Sequence, residues 1–319
     1  ITTPPPTSAR ARQTLAQRHL LGIDQLSPEE IRLILDRAGE IRQLVNEGND
    51  LAHTLAGKTL VNLFFENSTR TRVSFELAAK RLGSSVVNFD VANSSFAKGE
   101  SLLDTLQTIQ AMGAHFVVMR HSRAGAPHFL ARHVTQGSVI NAGDGAHEHP
   151  TQALLDLFTM REALGRIEGL RIAIVGDCLH SRVTRSNIKA LTKLGAKTVL
   201  VGPTPLVPDE LEALGVEVRH DLREGIQGAD VVYLLRIQLE RQRKGLFPSL
   251  KEYRSRFGLD TQALAWAKPD ALIMHPGPVN RGVELTDEIL ESPRCKITTQ
   301  VATGVFIRMA VLTLLGSET

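Results

Sequence analysis

The stretch Thr59-Leu60-Val61-Asn62-Leu63-Phe64-Phe65-Glu66-Asn67-Ser68-Thr69-Arg70-Thr71-Arg72 carries an apolar run into a polar turn and out again as a helical pattern. The run from Thr59 to Phe65 reads as a buried strand, and the amphipathic spacing from Arg72 to Arg81 reads as a helix. A strand feeding a helix through Ser-Thr-Arg-Thr aims free backbone N–H groups, hydroxyls and a guanidinium at one point, the makeup of a phosphate site. Taken alone, the triplet also fits a capped surface helix with solvated arginines.

Outward from this unit the same alternation repeats. Short apolar runs occur at Val86 to Phe89, Phe116 to Met119, Ser138 to Asn141, Arg171 to Val175, Thr198 to Val201, Val231 to Leu235 and Ala271 to Met274. Between them lie helical patterns such as Leu102 to Met112, Gln152 to Leu164 and Arg185 to Leu194. Strands alternating with helices predict parallel sheets covered on both faces. The expected fold is therefore α/β, with two doubly wound parallel-sheet domains of four strands each and an active-site cleft between them. The expected domains are 1–149, with a flexible arm at 1–15, and 150–319, with a last helix at 299–315 packing back on the first domain. Glu240 to Phe257, polar and interrupted by Gly245 and Pro248, reads as a long loop of the kind that forms lids.

The bulk numbers narrow the function classes. The chain has 319 residues, 42% hydrophobic and 22% charged, enough for about two domains. No apolar run in the sequence approaches the roughly 20 residues of a membrane span, so no membrane partner is expected. The N-terminal stretch lacks the apolar centre of a signal peptide, and a cytoplasmic location is expected. The net charge of +3 comes from basic residues scattered among acids, unlike a nucleic-acid-binding stripe, and suits small anionic ligands better. Cys178 and Cys295 lack a thiolate-site spacing, and His147 with His149 has no further ligand at a typical spacing, so no metal is expected. Ile172-Ala173-Ile174-Val175-Gly176-Asp177 opens like a dinucleotide fold but lacks the further glycines, which argues against a nicotinamide cofactor.

Two more blocks carry chemistry. In His149-Pro150-Thr151-Gln152, Pro150 fixes a helix start, leaving an imidazole at its mouth and a carboxamide about one turn on. In Met274-His275-Pro276-Gly277-Pro278-Val279-Asn280-Arg281-Gly282 a strand ends in a Pro-Gly-Pro turn, which frees the carbonyls of Pro276 and Gly277 to accept hydrogen bonds from a ligand.

Together, and in this order, the three blocks resemble the aspartate carbamoyltransferase catalytic chain, bacterial type, from about His19 to the C-terminus. The resemblance implies transfer of a carbamoyl group from carbamoyl phosphate to L-aspartate in pyrimidine synthesis, without cofactor or metal. It implies that Ser68, Thr69, Arg70 and Thr71 hold the phosphate and that Arg120 spans phosphate and carbonyl oxygen. His149 and Thr71 would polarise that carbonyl, while Gln152 and the carbonyls of Pro276 and Gly277 would hold the carbamoyl nitrogen. Arg182 is expected at the α-carboxylate of aspartate, and Arg236 with Gln238 at its β-carboxylate. Ser94 and Lys98 match a loop that reaches a neighbouring subunit's site, which implies a homotrimer with shared active sites.

Ornithine carbamoyltransferases share the phosphate turn and the His-Pro-x-Gln block. They would be expected to carry His-Cys-Leu-Pro where this chain has His275-Pro276-Gly277-Pro278, and to lack the Arg236-Ile237-Gln238 reader. Some aspartate enzymes have Leu at the position of Gly277. The Pro-Gly-Pro version resembles members that work without a zinc-bearing regulatory chain, some of which assemble with dihydroorotase, so a dihydroorotase is a candidate partner.

Overall fold

The computed structural model describes residues 14–89, 99, 101–237 and 249–317. Ser94, Lys98 and Gln238, and nearly all of the expected N-terminal arm, lie outside the described residues.

The first half runs α1 (Pro28–Asn46), β1 (Thr59–Phe64), α2 (Thr69–Arg81), β2 (Ser85–Phe89), α3 (Leu102–Ala111), β3 (Phe116–His121), α4 (Ala126–Ala131) and β4 (Ser138–Asp144). The second runs α5 (Pro150–Leu164), β5 (Arg171–Val175), α6 (Arg182–Lys193), β6 (Lys197–Val201), β7 (Glu217–Arg219), α7 (Leu222–Ile226), β8 (Val231–Leu234), α8 (Leu250–Phe257), α9 (Thr261–Leu264), β9 (Leu272–Met274), α10 (Asp287–Glu291) and α11 (Ile297–Gly316). The strands form two sheets, β2-β1-β3-β4 and β7-β6-β5-β8-β9, and every pairing is parallel. Buried on both faces, central strands such as Ile172–Val175 and Val231–Leu234 are continuous apolar runs without alternation.

Strand order reverses between β1 and β3 in one sheet and between β5 and β8 in the other. In open parallel sheets, crevices for ligands open at such reversals, beyond the carboxyl ends of the strands. A hydrophobic core runs from α1 and α2 through α5 and α11 into the second sheet, and a smaller one fills the other face of the first sheet.

Several expectations need correction. The second sheet has five strands, because Glu217-Val218-Arg219 pairs beside β6; a three-residue edge strand with two charged residues carries almost no hydrophobic signal. The back of the expected loop 240–257 is helix α8, started by Ser249 accepting from the Glu252 amide and anchored by buried Tyr253 and Phe257. Helices α2 and α6 start at Thr69 and Arg182, three residues before the expected Arg72 and Arg185, which brings the arginine of each turn into the first helical turn. Finally, α11 is a 20-residue helix with mean hydropathy 1.5, long and apolar enough by length and composition to cross a membrane. Its surroundings explain this: it packs against α1, α2 and α5, and a helix covered on several sides is apolar all round.

Candidate active site

A cavity of about 1010 Å³ opens at the carboxyl ends of both sheets. That is at the upper end for a single small ligand, leaving room for two substrates side by side. Among the described residues five arginines line it, Arg70, Arg120, Arg182, Arg236 and Arg308, against one carboxylate, Glu66. Such an excess of positive charge within low-dielectric walls attracts anions.

The β1–α2 turn supplies the first wall. Ser68 caps α2 with extended backbone (φ −159°, ψ 92°), yet its hydroxyl makes no capping bond, so the first-turn N–H groups of α2 do not have that acceptor and can serve an anion. Ser68, Thr69, Arg70 and Thr71 all line the cavity. Burial, followed by the charge of Arg236, pushes the pKa of the Arg70 guanidinium below its ordinary value, and both cations line the same cavity. Arg70 also lies over the Pro-Gly-Pro turn. A Cβ placed on Gly277, whose φ is +64°, would sit 3.3 Å from Arg70 Cζ, so with Arg70 in this position both backbone sign and space favour glycine.

Arg120 stands opposite Phe64 of β1, where the β3–β4 register shifts between Met119 and His121. Such an irregularity re-aims a side chain at the end of a strand. Its Nε lies 3.1 Å from Glu66 Oε2, and its Nη1 donates to the Ala142 carbonyl at 3.2 Å. Arg182 Nη2 donates to the same Glu66 oxygen at 2.7 Å, and its Nη1 to the Gly145 carbonyl at 3.2 Å. Glu66 thus ties an arginine of the first sheet to one at the head of α6. The residue sits inside the opening motif, but its partners come from distant segments, and sequence reasoning gave it no role.

His149 caps α5 just ahead of Pro150, its backbone N–H donating to Ser186 Oγ at 2.9 Å. Its ring Nδ1 is buried with no hydrogen-bond partner among the described residues. Burial, then the charges of Arg120, Arg182 and Arg308, holds its pKa well below the ordinary value. A neutral imidazole can donate one hydrogen bond to a carbonyl oxygen without competing for the anion. The turn that delivers it is held by Asp144, which accepts from the Gly125, Asn141 and Glu148 N–H groups at 2.7, 2.8 and 3.1 Å. His147 also bonds Asp144, and with His128 the three bring ligand atoms within 4.8 Å of one another, a grouping that sequence spacing did not reveal.

The second half contributes Arg236, just beyond β8, and the 275–279 turn. Buried Glu284 fastens the two segments together, accepting from the Ile237 amide at 3.0 Å and from Asn280 Nδ2 at 2.7 Å. Arg308 reaches in from α11, bonded to Ser74 Oγ at 2.9 Å and lying over the Phe75 ring at 5.0 Å; burial pushes its pKa down to about 10. A lone arginine in an apolar helix was the visible sign of it. Of the residues expected in the site, Ser68, Thr69, Arg70, Thr71, Arg120, His149, Gln152, Arg182, Arg236, Pro276 and Gly277 line this one cavity.

The family model described as "Aspartate/ornithine carbamoyltransferase, carbamoyl-P binding domain" matches residues 18–162, and the one described as "Aspartate/ornithine carbamoyltransferase, Asp/Orn binding domain" matches residues 168–315. The chain belongs to the aspartate/ornithine carbamoyltransferase family. Among carbamoyltransferase sequences, it is 54% identical to an aspartate carbamoyltransferase catalytic subunit of Beijerinckia indica, covering 97% of each chain. It is likewise 54% identical to that of Rhodospirillum rubrum, covering 94% of each. Two solved carbamoyltransferases show how little the fold alone discriminates. Aspartate transcarbamoylase from Trypanosoma cruzi, in complex with carbamoyl phosphate and aspartate, superposes with a TM-score of 0.85 at 36% identity over 94% of this chain and 97% of that one. Ornithine carbamoyltransferase from Pyrococcus furiosus superposes with 0.84 at 31% identity over 95% and 98%.

Proposed function

We propose that this chain is an aspartate carbamoyltransferase, converting carbamoyl phosphate and L-aspartate to N-carbamoyl-L-aspartate and phosphate, a step of pyrimidine synthesis. One observation carries the reading: the anion-binding turn of α2 and the arginine beyond β8 face one cavity, in a chain 54% identical to aspartate carbamoyltransferase catalytic subunits.

In this reading the phosphate lies on the first turn of α2, held by Ser68, Thr69, Arg70 and Thr71, with Arg120 reaching from phosphate to carbonyl oxygen. Aspartate enters with its carboxylates toward Arg182 and Arg236, whose planar guanidinium groups suit bidentate pairing. Its neutral amine attacks the carbamoyl carbon, forming the C–N bond. The resulting oxyanion is met by Arg120, Thr71 and the neutral ring of His149. The C–O bond to phosphate then breaks, and the leaving phosphate takes the amine proton. No covalent enzyme intermediate is needed; positioning and electrostatics supply the rate.

Ser94, Lys98 and Gln238 complete the assignment by resemblance, the first two as residues lent between subunits of a trimer. A dihydroorotase partner is a further proposal, resting on the Pro276-Gly277-Pro278 turn; a single trimer-sized species on a sizing column after mixing the two proteins would count against it. The deciding test offers L-aspartate and L-ornithine in parallel with carbamoyl phosphate. Product with aspartate alone is expected; product with ornithine alone would overturn the reading of the second half.

A further inference from the structure

Asp156 lies one turn beyond Gln152 on α5, fully buried and outside the cavity lining. Four donors from four elements converge on it. Its Oδ1 accepts from Gln152 Nε2 at 3.0 Å and from Gln300 Nε2 of α11 at 2.8 Å. Its Oδ2 accepts from Asn187 Nδ2 of α6 at 3.0 Å and from the Tyr233 hydroxyl of β8 at 2.7 Å.

The chemistry of this cluster goes beyond holding helices together. A carboxamide has nearly the same shape either way round, so packing alone leaves both faces of a glutamine open. An ionised carboxylate only accepts hydrogen bonds, so each glutamine must turn its NH₂ toward Asp156 and its oxygen away. For Gln300 that oxygen accepts the backbone N–H of His275 at 3.0 Å, directly ahead of Pro276 and Gly277. For Gln152 the oxygen is left toward the cavity.

We infer that Asp156 is the positioning residue that makes the amide end of the site acceptor-only by fixing which way round Gln152 lies, and that through Gln300 and the His275 N–H it also holds in place the turn bearing the carbonyls of Pro276 and Gly277. The inference rests on the proposed placement of the carbamoyl nitrogen at Gln152. A primary amide nitrogen brings only donors, and an NH₂ turned toward it by mistake would leave both groups unpaired. The site therefore recognises acyl phosphates bearing an amino group over those bearing a methyl group of similar size.

The test compares carbamoyl phosphate, acetyl phosphate and inorganic phosphate as ligands of the full chain, in wild type, Gln152→Ala, Asp156→Ala and Tyr233→Phe. Asp156→Ala and Gln152→Ala are expected to lower the carbamoyl-over-acetyl preference by about tenfold or more, while inorganic phosphate binding changes less than about twofold. Tyr233→Phe, which removes one donor to Asp156 Oδ2 and leaves the bond from Gln152 to Oδ1 in place, is expected to keep the preference. Loss of the preference in Gln152→Ala but not in Asp156→Ala overturns the role of Asp156. Parallel weakening of inorganic phosphate in Asp156→Ala also overturns it, because a merely structural carboxylate would act that way. An unchanged preference in Gln152→Ala overturns the placement of the nitrogen, and this inference with it. If Asp156→Ala does not fold, neutron diffraction of the wild-type complex with carbamoyl phosphate decides: deuterons of Gln152 Nε2 on the Asp156 side support the inference, and deuterons on the ligand side overturn it.

Discussion

Gly277 and Arg236 show how single residues set the two halves of the site. At Gly277 an added methyl would meet the guanidinium of Arg70 at 3.3 Å from a left-handed backbone. Gly277→Ala is therefore expected to cost about 1–2 kcal/mol of stability and to raise the KM for carbamoyl phosphate several-fold, with a smaller change for aspartate; thermal melts and steady-state kinetics check both. Arg236 acts on the other substrate. Arg236→Ala should weaken use of aspartate by about 100-fold, the scale of a lost charge-assisted pair, while binding of carbamoyl phosphate stays nearly intact. Equal loss of both, measured by titration and kinetics, would make Arg236 a structural residue.

At the scale of elements, α11 is held by close approaches that helix propensity would not favour. A Cβ on Gly304 would come 2.6 Å from Arg308 Nη1 and 3.1 Å from Leu155 Cδ2. Alanine is the better helix former by about 1 kcal/mol, yet Gly304→Ala is expected to lower the melting temperature, because overpacking costs about 1–3 kcal/mol and displaces Arg308. A raised melting temperature would show that Arg308 can move freely. The same scale explains what the sequence made legible. The β1–α2 unit, the Pro150 start of α5 and the break after β9 are written in neighbouring residues, so strand, cap and turn could be read directly. Glu66 and Arg182 meet across 116 positions, and Gln300 reaches Asp156 across 144; neither pairing leaves a local mark. Strand β7 was invisible because it is three residues long, and α8 because its dense Lys and Arg masked the cap at Ser249 and the buried pair Tyr253 and Phe257.

Over the whole molecule, one buried carboxylate imposes a pH dependence on stability. Burial pushes Asp156 from 3.8 up to about 6, against the pull of its hydrogen-bond donors. A raised acid binds more protons in the folded than in the unfolded chain between those values, so its contribution to stability improves as pH falls through that window. Two pK units correspond to about 3 kcal/mol. Relative to Asp156→Asn, wild type should gain up to about that much between about pH 7 and pH 4 in denaturant midpoints, and a pH-independent gap would contradict it. The assembly offers a second test. Lys98→Ala and Arg70→Ala chains, each nearly inactive, should regain activity on mixing if the proposed trimer shares its sites; no recovery despite demonstrated subunit exchange would argue against sharing.

The course of α11 bears on how this protein can be recombined with its relatives. The helix follows the second sheet in the chain but packs among α1, α2 and α5 and lends Arg308 to the cavity. A chimera joined once, between α5 and β5, would set the donor's last helix against a foreign groove. A clean exchange of amino-acid preference needs a second junction ahead of Ile297, so that the phosphate-binding half keeps both of its separated pieces.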